Sequence, residues 1–136
     1  MQFFKMQERI PDEVIRSRAR HVISENQRVL NSVPVLLKND ILQFGALMNA
    51  SHESLRDNYG VTGTELDTLV EAALKVNGCI GARMTGAGFG GCTVNIVTDE
   101  AAEQFINQVS EEYHTKTGLT PEFYFGAPSD GAREID

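Results

Sequence analysis

Arg83-Met-Thr-Gly-Ala-Gly-Phe-Gly-Gly-Cys92 places four glycines among the six residues from Gly86 to Gly91. Glycine loses more backbone freedom on folding than any other residue, so this density is unfavourable unless the chain must bend sharply or approach something closely. Two readings meet that requirement. Successive N–H groups with no side chains in the way can converge on phosphate oxygens as an anion-binding concavity. A tight strand-to-strand connection with several positive φ values needs the same composition and no ligand. The flanks favour strands on both sides: Ile80 to Thr85 is short and compatible with one, and Cys92-Thr-Val-Asn-Ile-Val-Thr98 has the β-branched alternation of a half-buried one.

That setting removes the commoner glycine motifs. Gly86, Gly88 and Gly91 satisfy G-x-G-x-x-G, but a dinucleotide site needs a helix to start at the loop and an acidic residue about 20 positions on. A protein-kinase glycine loop does lie between strands, yet no Val-Ala-Ile-Lys, His-Arg-Asp or Asp-Phe-Gly follows, and no Gly-Lys-Ser or Gly-Lys-Thr completes a Walker loop.

Upstream the period is helical. Pro11-Asp-Glu13 suits a first helical turn, and Ile15, Ala19, Val22, Ile23, Val29, Leu30 and Val33 recur at helical spacing, which predicts a helix over about 11–32. Pro34 should interrupt it. Asn39-Asp40 can cap a second helix, marked by Ile41, Phe44, Leu47, Met48, Ser51, His52 and Leu55 out to about Tyr59. Gly60 and Gly63 bracket a turn. Thr64 is the expected N-cap of a third helix with Leu66, Leu69, Val70, Ala73 and Leu74 inward, ended by Asn77-Gly78.

Downstream, Asp99 begins an amphipathic helix with Ala102, Phe105, Ile106, Val109 and Tyr113 on its inner face, ending near Gly118. Glu122-Phe-Tyr-Phe125 reads as a last strand, and Ala132 to Asp136 as a short strand or a loose tail. The sum is an α+β fold, helices packed on a small antiparallel sheet, as one domain over residues 1–136.

The chain has 136 residues, 41% hydrophobic and 23% charged, enough for one buried core. A formal net charge of -7 leaves no general attraction to nucleic acid or to an anionic membrane, and no apolar run approaches the roughly 20 residues of a membrane span. A cytoplasmic location follows as the expectation. Cys79 and Cys92, without clustered histidines, make no zinc motif and read as reduced structural thiols. His21 and His52, on helices among apolar neighbours, read as hydrogen-bonded structural residues, and His114 as a helix-end surface residue. Arg16, Arg18, Arg20 and Arg28, mixed with Glu13 and Glu25, read as a solvated face.

Gly81-Ala-Arg-Met-Thr-Gly-Ala-Gly-Phe-Gly-Gly-Cys-Thr93 resembles the third conserved motif of galactokinases, within the GHMP family of small-molecule kinases. Arg18-Ala-Arg-His21, Glu25-Asn-Gln-Arg-Val29, Leu47-Met-Asn49, Ser51-His52, Ser54-Leu55 and Glu65-Leu-Asp67 resemble the same family in the same order, so the likeness covers about residues 10 to 135. It implies the C-terminal lobe of a two-lobed enzyme that phosphorylates galactose with ATP and nucleotide-bound magnesium. The family's first motif, similar to Gly-Arg-Val-Asn-Leu-Ile-Gly-Glu-His-Thr-Asp-Tyr, and its second, a Gly-Leu-Ser-Ser-Ser loop, do not occur in this sequence. The acid and arginine associated with catalysis belong to that other part, so the resemblance assigns no catalytic residue and no metal ligand here, and Glu65 and Asp67 are not proposed as bases.

What it does assign is a loop near the transferred phosphate. Thr85 offers a hydroxyl; Gly86, Ala87, Gly88, Gly90 and Gly91 offer N–H groups or room; Phe89 borders the substrates or packs in the core. The isolated chain is expected to be inactive, and to bind a complementary N-terminal lobe or itself. Another GHMP sugar kinase, of the N-acetylgalactosamine type, and a non-catalytic remnant or interaction module remain as alternatives.

Overall fold

A computed structural model of the chain describes residues 2–131 and 134. Among the described residues, five helices accompany one antiparallel hairpin. They are α1 (Gln2–Met6), α2 (Glu13–Leu37), α3 (Ile41–Ser54), α4 (Gly63–Leu74) and α5 (Ala102–Thr117), with strands β1 (Cys79–Thr85) and β2 (Cys92–Val97) between α4 and α5. The expected α+β layout is therefore present.

Two of the helix starts follow from their caps. Asp12 accepts a hydrogen bond from the Ile15 N–H at 2.9 Å and Asp40 one from the Gln43 N–H at 3.0 Å, each satisfying a first-turn donor that has no partner within its helix. The third start differs from the sequence reading. Thr62, buried and without a side-chain cap bond, precedes a helix that already includes Gly63 and Thr64. Gly63 has φ +80, a left-handed geometry only glycine adopts freely, and this lets the turn tighten one residue earlier than Thr64 would cap it.

Pro34 does not interrupt α2. The helix runs three residues beyond it to Leu37. The bond that Pro34 cannot donate would have gone to the Leu30 carbonyl, and Leu30 lies more than half exposed, so water can take that carbonyl. After α3 the backbone loosens into a five-residue π-helical turn, Leu55–Tyr59, closed by Gly60 at φ +71. Gly118, at φ +74, closes α5 by donating its N–H to the His114 carbonyl at 2.8 Å.

The hairpin pairs Ala82 with Asn95, Arg83 with Val94, Met84 with Thr93 and Thr85 with Cys92. One edge of β1 is covered by α3 in place of a strand. Gly45 permits the close approach: a Cβ there would lie 2.1 Å from the Ile80 carbonyl oxygen. The Asn49 Oδ1 then accepts the Ala82 N–H at 2.9 Å, and the His52 Nδ1 accepts the Met84 N–H at 3.1 Å. Alternate residues of an antiparallel strand aim their N–H groups at opposite edges, so two side chains one helical turn apart satisfy the edge that β2 does not.

The main core joins Val70, Ala72, Ala73 and Val76 of the α4 segment to Ala82 of β1 and to Phe105 and Val109 of α5. A smaller cluster, Leu55, Leu66 and Met84, sits under the connection between the π-turn and α4. Leu74, expected inward, is exposed, because the helix ends there. The expected strand at Glu122–Phe125 is absent. Phe123 reaches the core and meets the Phe105 ring edge-on at 6.3 Å, while Tyr124 and Phe125 are exposed. Among the described residues, none from 119 to 131 makes a backbone bond to the hairpin, so one aromatic side chain tethers this segment and no strand ladder does. Of the span from Ala132 to Asp136, only Glu134 lies within the described residues.

Candidate functional site

The glycine loop connects β1 to β2, as its flanks required. Gly86, Gly88, Gly90 and Gly91 all have positive φ, from +78 to +102, and Phe89 shares the left-handed region at +57. Five such residues in six explain the composition: with side chains at these positions the path would be strained throughout.

The loop is anchored at its centre and open around it. The Phe89 N–H donates to the Val61 carbonyl oxygen at 2.7 Å. That oxygen is held by the π-turn, since Gly60 and Val61 both donate back to the Leu55 carbonyl. Gly88 must be glycine for a second reason, because a Cβ there would sit 2.0 Å from the same oxygen. By contrast, a Cβ at Gly86, Gly90 or Gly91 would meet nothing within 4 Å. Among the described residues, no backbone or side-chain acceptor takes the N–H groups of Gly86, Ala87, Gly88, Gly90 or Gly91. Five N–H groups without a protein acceptor in one short, side-chain-poor loop are open to solvent or to an anion. Thr85, at the end of β1, is exposed beside them.

Phe89 does not pack in the core. Its side chain is 77% exposed, because the positive φ and the bond to Val61 fix its backbone inward and leave the ring facing out. Cys92 is likewise exposed at the loop exit, whereas Cys79 is half-buried and burial raises its thiol pKa.

Behind the loop lies a polar web. His52, through the Met84 N–H that it accepts at Nδ1, must carry its proton on Nε2, which meets the Asp67 Oδ1 at 3.1 Å. Burial lowers its pKa, against an opposing pull from Asp67. It is a neutral strut between α3, α4 and β1. Asp67 orients it. His21 meets the Ser54 hydroxyl at 3.0 Å and the Tyr59 ring at 4.9 Å, and burial lowers its pKa too. The structural reading of both histidines holds.

The arginines of α2 are not simply a solvated face. Arg16 pairs with Glu8, Arg20 donates to Gln7 at 2.8 and 3.1 Å, and Arg28 donates to Glu25 at 2.7 Å; all three are half-buried, and Arg18 is exposed. Glu25 is the junction. It accepts from the Ser51 hydroxyl at 2.6 Å and from Arg83 at 3.3 Å as well. Burial alone would raise its carboxyl pKa, but Ser51, Arg28 and Arg83 together bring it below the ordinary value. Arg83, two residues before Thr85, is thus held from outside the sheet and also donates to the Met84 carbonyl at 3.0 Å.

Sequence reasoning singled out the seven residues Thr85 to Gly91, did not find Val61 or Gly45, and quoted Asn49 within a family-like segment without giving it a role. Nothing in a lone valine announces that its carbonyl anchors a loop. Among the described residues, no group of three or more His, Cys, Asp or Glu side chains gathers as a metal site, and no helix is long and apolar enough to cross a membrane.

Comparison with known proteins fits this geometry. The chain is 52% identical over 134 residues to a galactokinase of Clostridium beijerinckii, covering 98% of this chain and 34% of that protein. It is 51% identical over 134 residues to a galactokinase of Fusobacterium nucleatum, again covering 98% of this chain and 34% of the relative. Among solved structures, the galactokinase of Lactococcus lactis complexed with galactose superposes with a TM-score of 0.88 at 43% identity, over 90% of this chain and 32% of that one. The chain therefore spans about a third of the length of the relatives it matches. The family model for the C-terminal part of GHMP kinases matches residues 32–115, more than half of the chain, and the chain belongs to that family.

Proposed function

We propose that this chain supplies the C-terminal part of a galactokinase, which transfers the terminal phosphoryl group of ATP to galactose and releases galactose 1-phosphate and ADP. The observation that carries the reading is the loop Thr85–Gly91, with its unengaged N–H groups beside the Thr85 hydroxyl and its anchor on Val61. Phosphoryl transfer depends on positioning and on stabilising the charge that spreads over the phosphoryl oxygens, and fixed backbone donors do both without moving a proton. In this role Gly86, Ala87, Gly88, Gly90 and Gly91 face the phosphates, Phe89 borders the substrates, and the polar web behind β1 keeps the loop in register.

In this reading the nucleotide brings its own magnesium, and no residue of this chain is assigned as its ligand. Residues 1–136 act as one domain in the cytoplasm. No residue of this chain is a catalytic acid or base in this reading, so the chain by itself is inactive.

The test compares the isolated chain with a chimera in which it replaces the matching third of the Clostridium beijerinckii galactokinase. ADP release is measured with and without galactose. The chimera is expected to turn over within the ordinary range of about 1–1000 per second, and the isolated chain to show no galactose-dependent release. A folded chimera without galactose phosphorylation, or an isolated chain active after removal of contaminating enzyme, would sink the proposal.

A further inference from the structure

Helix α2 is amphipathic in the reverse of the usual sense. Its polar face points into the molecule: Arg20, His21, Glu25 and Arg28 are half-buried or buried and bonded to Gln7, Ser54, Ser51 and one another. Its apolar face points out. Ile15, Val22, Val29, Leu30, Val33 and Leu36 are each 47 to 58% exposed, at spacings of seven, seven, four and three residues along a single stripe with Leu30 beside it. An aligned apolar stripe of this length on one helix is a contact surface, since water-facing helices carry polar residues there.

Two further facts identify the occupant. The family model begins at residue 32, so most of α2 lies before the shared GHMP C-terminal unit. Yet the likeness to galactokinases runs through α2, covering 98% of this chain and only 34% of the relative. The stripe thus belongs to the segment that joins the shared unit to the other two thirds of a galactokinase.

From these facts we infer that the outer face of α2 is an intramolecular docking surface, covered in the full-length enzyme by an apolar segment of the polypeptide outside residues 1–136. The inference rests on the proposed function, and it adds where the rest of that enzyme attaches. It also gives the internal web a purpose. With its polar face bonded to the glycine-loop domain and its apolar face bonded to the remainder, α2 becomes a rigid splint that fixes the loop relative to the other walls of the site.

The test is thiol labelling. Val22→Cys and Val29→Cys are placed singly in a Cys92→Ser background, in the isolated chain and in the full-length chimera, with Gln104→Cys on the outer face of α5 as the control. Maleimide labelling is followed by mass spectrometry. Positions 22 and 29 are expected to label about tenfold or more slowly in the chimera than in the isolated chain, as for a site that reacts only on local opening, while position 104 is unchanged. The same two cysteines at the aligned positions of the Clostridium beijerinckii galactokinase are expected to be protected too, which keeps the test valid if the chimera folds poorly.

Equal labelling of positions 22 and 29 in both contexts would overturn the inference. So would protection in the isolated chain that disappears on dilution, which would make a second copy of the chain the occupant. A chimera that protects α2 but does not phosphorylate galactose would defeat the proposed function and leave the docking surface standing.

Discussion

Alanine at Gly88 and alanine at Gly86 should have different consequences although the two backbones are nearly alike. Their φ values are +84 and +78, so each substitution forces an L-residue into the left-handed region at about 1–2 kcal/mol. Only Gly88 adds a collision, with its new Cβ 2.0 Å from the Val61 oxygen. Real Cβ contacts essentially never fall below 3.0 Å, so loop and acceptor must separate by at least about 1 Å. The Phe89 N–H now lies 2.7 Å from that oxygen, and the same displacement takes it out of hydrogen-bonding range. Gly88→Ala therefore loses the anchor, about 0.5–1.5 kcal/mol, beyond the φ term that both variants share. The extra loss is capped near that value, because a released loop no longer feels the collision. The decisive assay is amide exchange at Phe89 by NMR, with urea unfolding alongside. In Gly86→Ala the Phe89 amide should keep its protection; in Gly88→Ala it should exchange roughly five to ten times faster, with a urea midpoint below that of Gly86→Ala and an unchanged slope. Equal Phe89 exchange in the two variants would refute the idea that Val61 holds the loop.

Gly45→Ala should destabilise the chain by about 1–3 kcal/mol: alanine favours a helix interior by about 1 kcal/mol, but a Cβ 2.1 Å from the Ile80 oxygen must push α3 off β1 and stretch the Asn49 and His52 bonds. A urea midpoint at or above that of the parent would show that the crossing is not close. The histidines set a pH dependence whose sign is fixed by their burial. His21 and His52 both have folded pKa values below 6.5, so between those lowered values and 6.5 the unfolded chain binds more protons. Their contribution is complete above pH 6.5 and falls away as pH drops through the folded values, so thermal midpoints should decline below pH 6.5 and decline less steeply in His52→Gln. A midpoint that rises on acidification from pH 6.5 would contradict the neutral, acceptor-bearing His52.

What the sequence revealed and what it concealed divide along physical lines. Caps such as Asp12 and Asp40 act on donors three residues away, and the glycine loop declares itself through local φ requirements, so both are legible without tertiary context. Periodicity alone marks a stripe on α2 but not which side of the helix the domain uses, and here the domain uses the polar side. Residues 122–125 have a strand's composition, but a strand also needs a free edge in register, and Phe123 finds its place through a ring contact. Gly45 and Val61 act through backbone atoms, where side-chain identity carries little signal.

The segments that resemble galactokinases are also the ones the fold draws together. Arg18-Ala-Arg-His21 reaches Ser54, Glu25 reaches Ser51 and Arg83, Asn49 and His52 reach β1, and Asp67 reaches His52. In the proposed reading these contacts position the loop, and positioning matters there: a displacement of about 1 Å in a phosphate cradle can cost two orders of magnitude in rate.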